Sequence, residues 1–64
     1  MEFTTLDEAI RHASNIARFD RLREYFVLSG VNSDTGETIY WVCGPSAKAI
    51  LWPELSPIWR SAAA

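Results

Sequence analysis

Cys43 carries the one nucleophilic sulfur of this 64-residue chain, and His12 carries its one imidazole. A reactive thiolate needs a nearby base and an electropositive setting. His12 falls on the polar face of a helical pattern, so sequence gives no reason to pair it with Cys43. Cys43 reads instead as a small buried hydrophobe at a strand end, and His12 as a solvated residue beside Glu8. One Cys and one His fall short of the four ligands of a structural zinc site, and a lone Cys excludes an intramolecular disulfide. The carboxylates Glu2, Asp7, Glu8, Asp20, Glu24, Asp34, Glu37 and Glu54 are scattered. Hydrolysis by acid and base needs two of them facing one cleft, and no spacing here places them so. No glycine loop of the phosphate-cradling type is present. The sequence therefore assigns no catalytic, cofactor-binding or metal-ligating residue, and the expectation is a protein that is not an enzyme and uses no cofactor.

Two groups of residues suit binding rather than turnover. Glu2, Asp7 and Glu8 sit near the start, and Asp34 and Glu37 in a turn. Carboxylates spaced over a small surface can imitate a phosphate backbone and occupy a basic groove, with Tyr40 and Trp59 as candidate aromatic anchors. The alternative is direct nucleic-acid binding. Arg18, Arg21 and Arg23 precede Tyr25 and Phe26, and basic side chains beside aromatic rings can hold phosphates and stack bases. Asp20 and Glu24 dilute that charge, and a net charge of −2 gives no general drive toward nucleic acid. Direct nucleic-acid contact is thus the weaker expectation.

These residues must be positioned by few elements. Thr5-Leu6-Asp7-Glu8 has the form of a capping box. Leu6, Ala9, Ile10, Ala13, Ile16 and Ala17 follow at helical spacing, which predicts a helix from Leu6 to about Ala17. Two arms, 25–31 and 38–43, are apolar on both faces and flank the turn signal Asn32-Ser33-Asp34-Thr35-Gly36-Glu37. A three-residue loop with a left-handed Gly36 and a bulge fits that turn. It would set Val31 opposite Ile39, Val27 opposite Cys43, Gly30 opposite Tyr40 and Leu28 opposite Val42. Leu6, Ile10, Ala13 and Ala17 would then pack on Val27, Val31, Ile39 and Trp41. The other face, Phe26, Leu28, Tyr40 and Val42, would be covered by the Trp52–Trp59 segment or by a second copy. Gly44-Pro45-Ser46 predicts a short helix up to Leu51, in preference to a third strand. Ser56-Pro57 reads as a further helix start.

The expected fold is α+β: one domain, 1–64, with an N-terminal helix on a two-stranded antiparallel hairpin and a short C-terminal helical or irregular segment. An apolar content of 48% argues against disorder. No apolar stretch approaches a membrane span, and Met1-Glu2 begins nothing like a leader, so a cytoplasmic protein without membrane contact is expected. A domain of this size buries only about 60% of its unfolded surface, and a ribbon apolar on both faces needs covering on each. Monomer or weak homodimer is the expectation, with a homomeric structural module as a third functional reading. In size, acidity and plan the chain resembles the small phage-encoded inhibitors of host defence, anti-CRISPR proteins among them. That resemblance implies a stoichiometric inhibitor docking on a larger protein or nucleoprotein complex, at a DNA-binding surface, in the host cytoplasm.

Overall fold

A computed structural model describes residues 2–20 and 23–63. The elements run β1 (Glu2–Phe3), α1 (Leu6–Phe19), β2 (Phe26–Val31), β3 (Thr38–Cys43), α2 (Pro45–Leu51), β4 (Trp59–Arg60) and a 3-10 turn (Ser61–Ala63). The fold is α+β, but the sheet has four antiparallel strands in the order β1-β3-β2-β4 rather than two. The expected hairpin is its centre, and the two ends of the chain supply its edges.

α1 starts where the cap signal places it. The Glu8 backbone N–H donates to Thr5 Oγ1 at 3.3 Å, while the reciprocal bond of a full capping box is not formed among the described residues. Asp7 and Glu8 in the first turn and Arg18 in the last complement the helix dipole. Ala9 and Ala13 are fully buried and bring the helix axis close to the sheet. Leu6, expected in the core, is 36% exposed. His12 is half-buried, its ring 5.2 Å from that of Phe3, and not simply solvated.

The register differs from the expected one by a single residue. Val31 pairs with Thr38, Gly30 with Ile39, Ser29 with Tyr40, Leu28 with Trp41, Val27 with Val42 and Phe26 with Cys43. The cause is the turn. Asn32 N–H donates to Glu37 O at 2.8 Å, and Gly36 N–H donates to Asn32 O at 2.7 Å. Four residues, 33–36, are enclosed where three were expected. Gly36 does take the left-handed conformation, at φ 74°. Asn32 Oδ1 accepts from Asp34 N–H at 2.9 Å and stiffens the loop from within.

A one-residue slip moves a strand's side chains to the opposite face of the sheet. The α1 face of the sheet is therefore Val27, Tyr40 and Val42, packed with Ala9, Ala13, Ile10, Phe3, Tyr25 and Trp59. Ile39 and Trp41 are not on it, and Val31 is 67% exposed. The other face is Phe26, Leu28 and Cys43, joined by Trp41, Ala47 and Trp52. Tyr40 and Val42 are absent from that face. Burial of Val27 and Leu28, both at 0% exposure, contributes about 1.5–3 kcal/mol each.

α2 forms from Gly44 as N-cap and Pro45 in its first turn. Its last turn is closed by Lys48, whose Nζ donates to Trp52 O at 2.9 Å and Pro53 O at 3.4 Å. Ser56-Pro57 does not start a helix. Ile58 N–H donates to Val27 O at 2.9 Å and Ser61 N–H to Tyr25 O at 2.9 Å, so Trp59–Arg60 becomes an edge strand on β2. Continued pairing would bring Pro57 opposite Ser29. Proline has no N–H to donate there, which ends the ladder. The C-terminal segment thus divides: Trp52 covers one face of the sheet and Trp59 the other. No described helix is long and apolar enough to cross a membrane.

Candidate interaction surfaces

Topology sorts the charges by position. β1 runs antiparallel to β3, with Glu2 opposite Trp41 and Phe3 opposite Tyr40. The chain leaving Phe3 therefore heads toward the hairpin turn, and α1 begins there. Asp7 and Glu8 come to the same end of the sheet as Asp34 and Glu37, although some 25 residues separate the pairs in sequence (roughly the span of α1 and β2 together). All four are exposed. Arg11 stands one helical turn inward from Asp7.

Arg11 apart, the described basic residues lie toward the other end, about 20 Å away along the strands. Arg18 is in the last turn of α1, Arg60 is opposite Phe26, and Lys48 is in the helix that begins after Cys43. Two of the arginines are engaged. Arg60 Nη2 meets Glu24 Oε1 at 2.9 Å with its guanidinium 5.6 Å from the Phe26 ring, and Arg23 Nε meets Asp20 Oδ2 at 3.4 Å. Of the arginine cluster expected from sequence, Arg18 and Arg23 are exposed and Arg21 lies outside the described residues. The aromatic half of that cluster is not open for stacking. Phe26 is buried, and Tyr25 is half-buried with its hydroxyl on Asp20 Oδ2 at 3.4 Å. Arg23 and Tyr25 do line a shallow groove of about 370 Å³ with Gly44, Pro45, Ser46 and Ala47.

Tyr40 and Trp59, the candidate aromatic anchors, are half-buried on the α1 side of the sheet and packed around Val27. The exposed apolar side chains are elsewhere. Ile50 is 77% and Leu51 62% exposed on α2, Leu55 follows at 39%, and Phe19 stands out at 91% at the end of α1. Sequence reasoning placed a short helix here but named none of its apolar residues as a contact surface. Ala47 packs against the sheet, while Ile50 and Leu51, one turn further along the helix, are left outside.

Glu2 is separate from the other carboxylates. It sits across from Trp41 on β3 and lines a groove of about 380 Å³ with Ile39, Trp41, Val42 and Trp52. The two indoles are 5.5 Å apart at centroid and tilted by 52°, an edge-to-face type of contact. Trp41 Nε1 is buried with no acceptor among the described residues. Glu2 makes no ion pair with another described residue.

Cys43 is 7% exposed under α2. Burial raises its thiol above the ordinary value, and the nearby Lys48 cation opposes this in part. Among the described residues no group of His, Cys, Asp and Glu could hold a metal ion. Comparison with protein-family models, curated proteins and solved structures finds no match for this chain.

Proposed function

We propose that this chain is a binding protein that acts without turnover, docking on a larger protein or nucleoprotein complex and blocking a basic surface of it. The observation that carries this reading is the gathering of Asp7, Glu8, Asp34 and Glu37 at one end of the sheet by the β1-to-α1 connection and the turn. Carboxylates concentrated in this way steer association with a basic partner and set its orientation. The exposed Ile50, Leu51 and Leu55 supply apolar area of the kind interfaces use. Inhibition by occupancy needs only such a surface and no reacting group.

The test compares the wild-type chain with the variant D7N/E8Q/D34N/E37Q as bait on a host lysate. Neutral isosteres keep the helix start from becoming basic. A shift assay with naked DNA and RNA at two salt concentrations runs beside it. The expected result is capture of a basic protein complex that the variant loses and that added nucleic acid displaces. Salt-sensitive binding to naked nucleic acid, unchanged in the carboxylate variant and lost when Arg18, Arg21 and Arg23 are reversed, would overturn the reading in favour of direct nucleic-acid contact.

A further inference from the structure

We propose that the outer edge of β2, from Ser29 to Val31, is a self-association surface. It pairs with the same edge of a second copy of this chain, antiparallel, about a twofold axis at Gly30. This goes beyond the docking reading and does not depend on it. The phase of the ladder shows that the edge is open. Asn32 N–H donates to Glu37 O, so Asn32 turns its backbone groups toward β3. Residues 26, 28 and 30 do the same by strand alternation, and the odd-numbered residues of β2 turn theirs outward. Tyr25 O and Val27 O agree with that phase, since they accept from Ser61 N–H and Ile58 N–H on the β4 side. Past Ile58 the ladder stops at Pro57. The outward N–H and C=O groups of Ser29 and Val31 then meet no partner among the described residues. α1 does not cover this corner either: Val31 is 67% and Ile58 47% exposed.

An open strand edge is completed by another extended backbone. Two observations select a second copy of this chain. The first is that the edge is complementary to itself. With Gly30 facing its counterpart, Ser29 of each copy meets Val31 of the other, and each such pair exchanges both of its N–H···O=C bonds. Sliding the register by two residues would set Val31 opposite Val27, which β4 already occupies, or Ser29 opposite Ser33 in the turn. Gly30 then sits at a position of close backbone approach, where it has no side chain and the Trp41 ring already lies over it. The second observation is the charge. In this register the turn of each copy, carrying Asp34 and Glu37, comes level with Phe26 of the other, where Arg60 stands opposite on β4. The acidic end of each copy thus lies along the basic end of the other, twice over by symmetry.

The test is sedimentation of the full chain up to millimolar concentration, with amide hydrogen exchange followed over the same range. Expected is a reversible dimer. Protection of the Ser29 and Val31 amides should grow with concentration, while that of Gly30, already bonded to β3, should not. Val31→Pro removes an N–H that bonds nothing within one copy, and prolines are tolerated on such edges. The lost bond counts twice in a symmetric pair, so the dimer dissociation constant should rise by about tenfold or more, with the circular dichroism of the fold retained. Val31→Lys, a charge at an exposed edge position, is the second variant should the proline disturb folding, and it too should weaken the dimer. A chain that stays monomeric at millimolar concentration would overturn the proposal. So would a dimer that the folded Val31 variants leave intact, protection that grows elsewhere than at Ser29 and Val31, or a dimer abolished by Ile50→Lys with Leu51→Lys.

Discussion

At Gly30 the absence of a side chain has a measurable purpose. The Trp41 ring lies over it from the diagonal position, since Ile39 and not Tyr40 is the direct partner. The idea that an aromatic ring covers this glycine was available from sequence, and only the register decided which ring. Trp41 cannot easily yield, because Trp52 packs against it. Gly30→Val should therefore destabilise the fold by about 1–3 kcal/mol through overpacking, read as a lower urea midpoint. Cys43 gives a pH-dependent prediction. Its thiol is raised in the folded state by burial, so the unfolded thiol ionises first, near pH 8.5. Above that pH the folded chain holds the extra proton, and the stability that the buried thiol contributes falls as pH rises. The stability difference between wild type and Cys43→Ala should be constant below about pH 8 and shift against wild type in the alkaline range. Aromatic disulfide reagents should react slowly with Cys43 at neutral pH in the folded state and rapidly in urea.

At the scale of elements, caps and periodicities decide what forms, while loop length decides who meets whom. Thr5→Ala removes the hydroxyl that accepts from Glu8 N–H and should cost about 0.5–2 kcal/mol, measured by thermal unfolding. Ala13→Leu should cost about 1–3 kcal/mol, because it wedges α1 away from Val27 where no space remains. The position of α1, both hairpin arms, the left-handed Gly36 and the helix after Gly44 were legible in the sequence, since each depends on local residue types. The pairing of β3 was not. Thr38–Cys43 is apolar at nearly every position, so alternation could not show which side chains face α1, and the estimate rested on the turn alone. One additional enclosed residue then put Tyr40 and Val42 against α1 in place of Ile39 and Trp41. The edge strands were missed for a different reason. Two-residue strands have no period of their own and exist through bonds to distant backbone, as Ile58 to Val27 and Ser61 to Tyr25 show. Of the candidate site, the four clustered carboxylates were visible as residues, but their meeting at one end follows from the β1 connection alone.

For the whole molecule, the separation of charge sets the behaviour in solution. An acidic end and a basic end neutralised in part by Asp20 and Glu24 give a dipole that orients encounter and weakens with added salt. Partner association rates should therefore fall as ionic strength rises, and the neutralised variant D7N/E8Q/D34N/E37Q should lose most of that salt dependence. Sedimentation at several concentrations should show a weak dimer that Ile50→Lys with Leu51→Lys leaves intact. A dimer abolished by the double change would place self-association on α2. The strand order β1-β3-β2-β4 has a further consequence, in time. The central hairpin joins neighbours in sequence, while each edge strand is recruited from a far end of the chain. Contacts that close short loops form early, and those that close long ones form late. The ends should thus arrive last and leave first. Amide protons at Leu28 and Trp41, inside the hairpin, should exchange with solvent most slowly, and those at Phe3, Ile58 and Ser61 well before them. The two ends of this chain act as latches on the central hairpin.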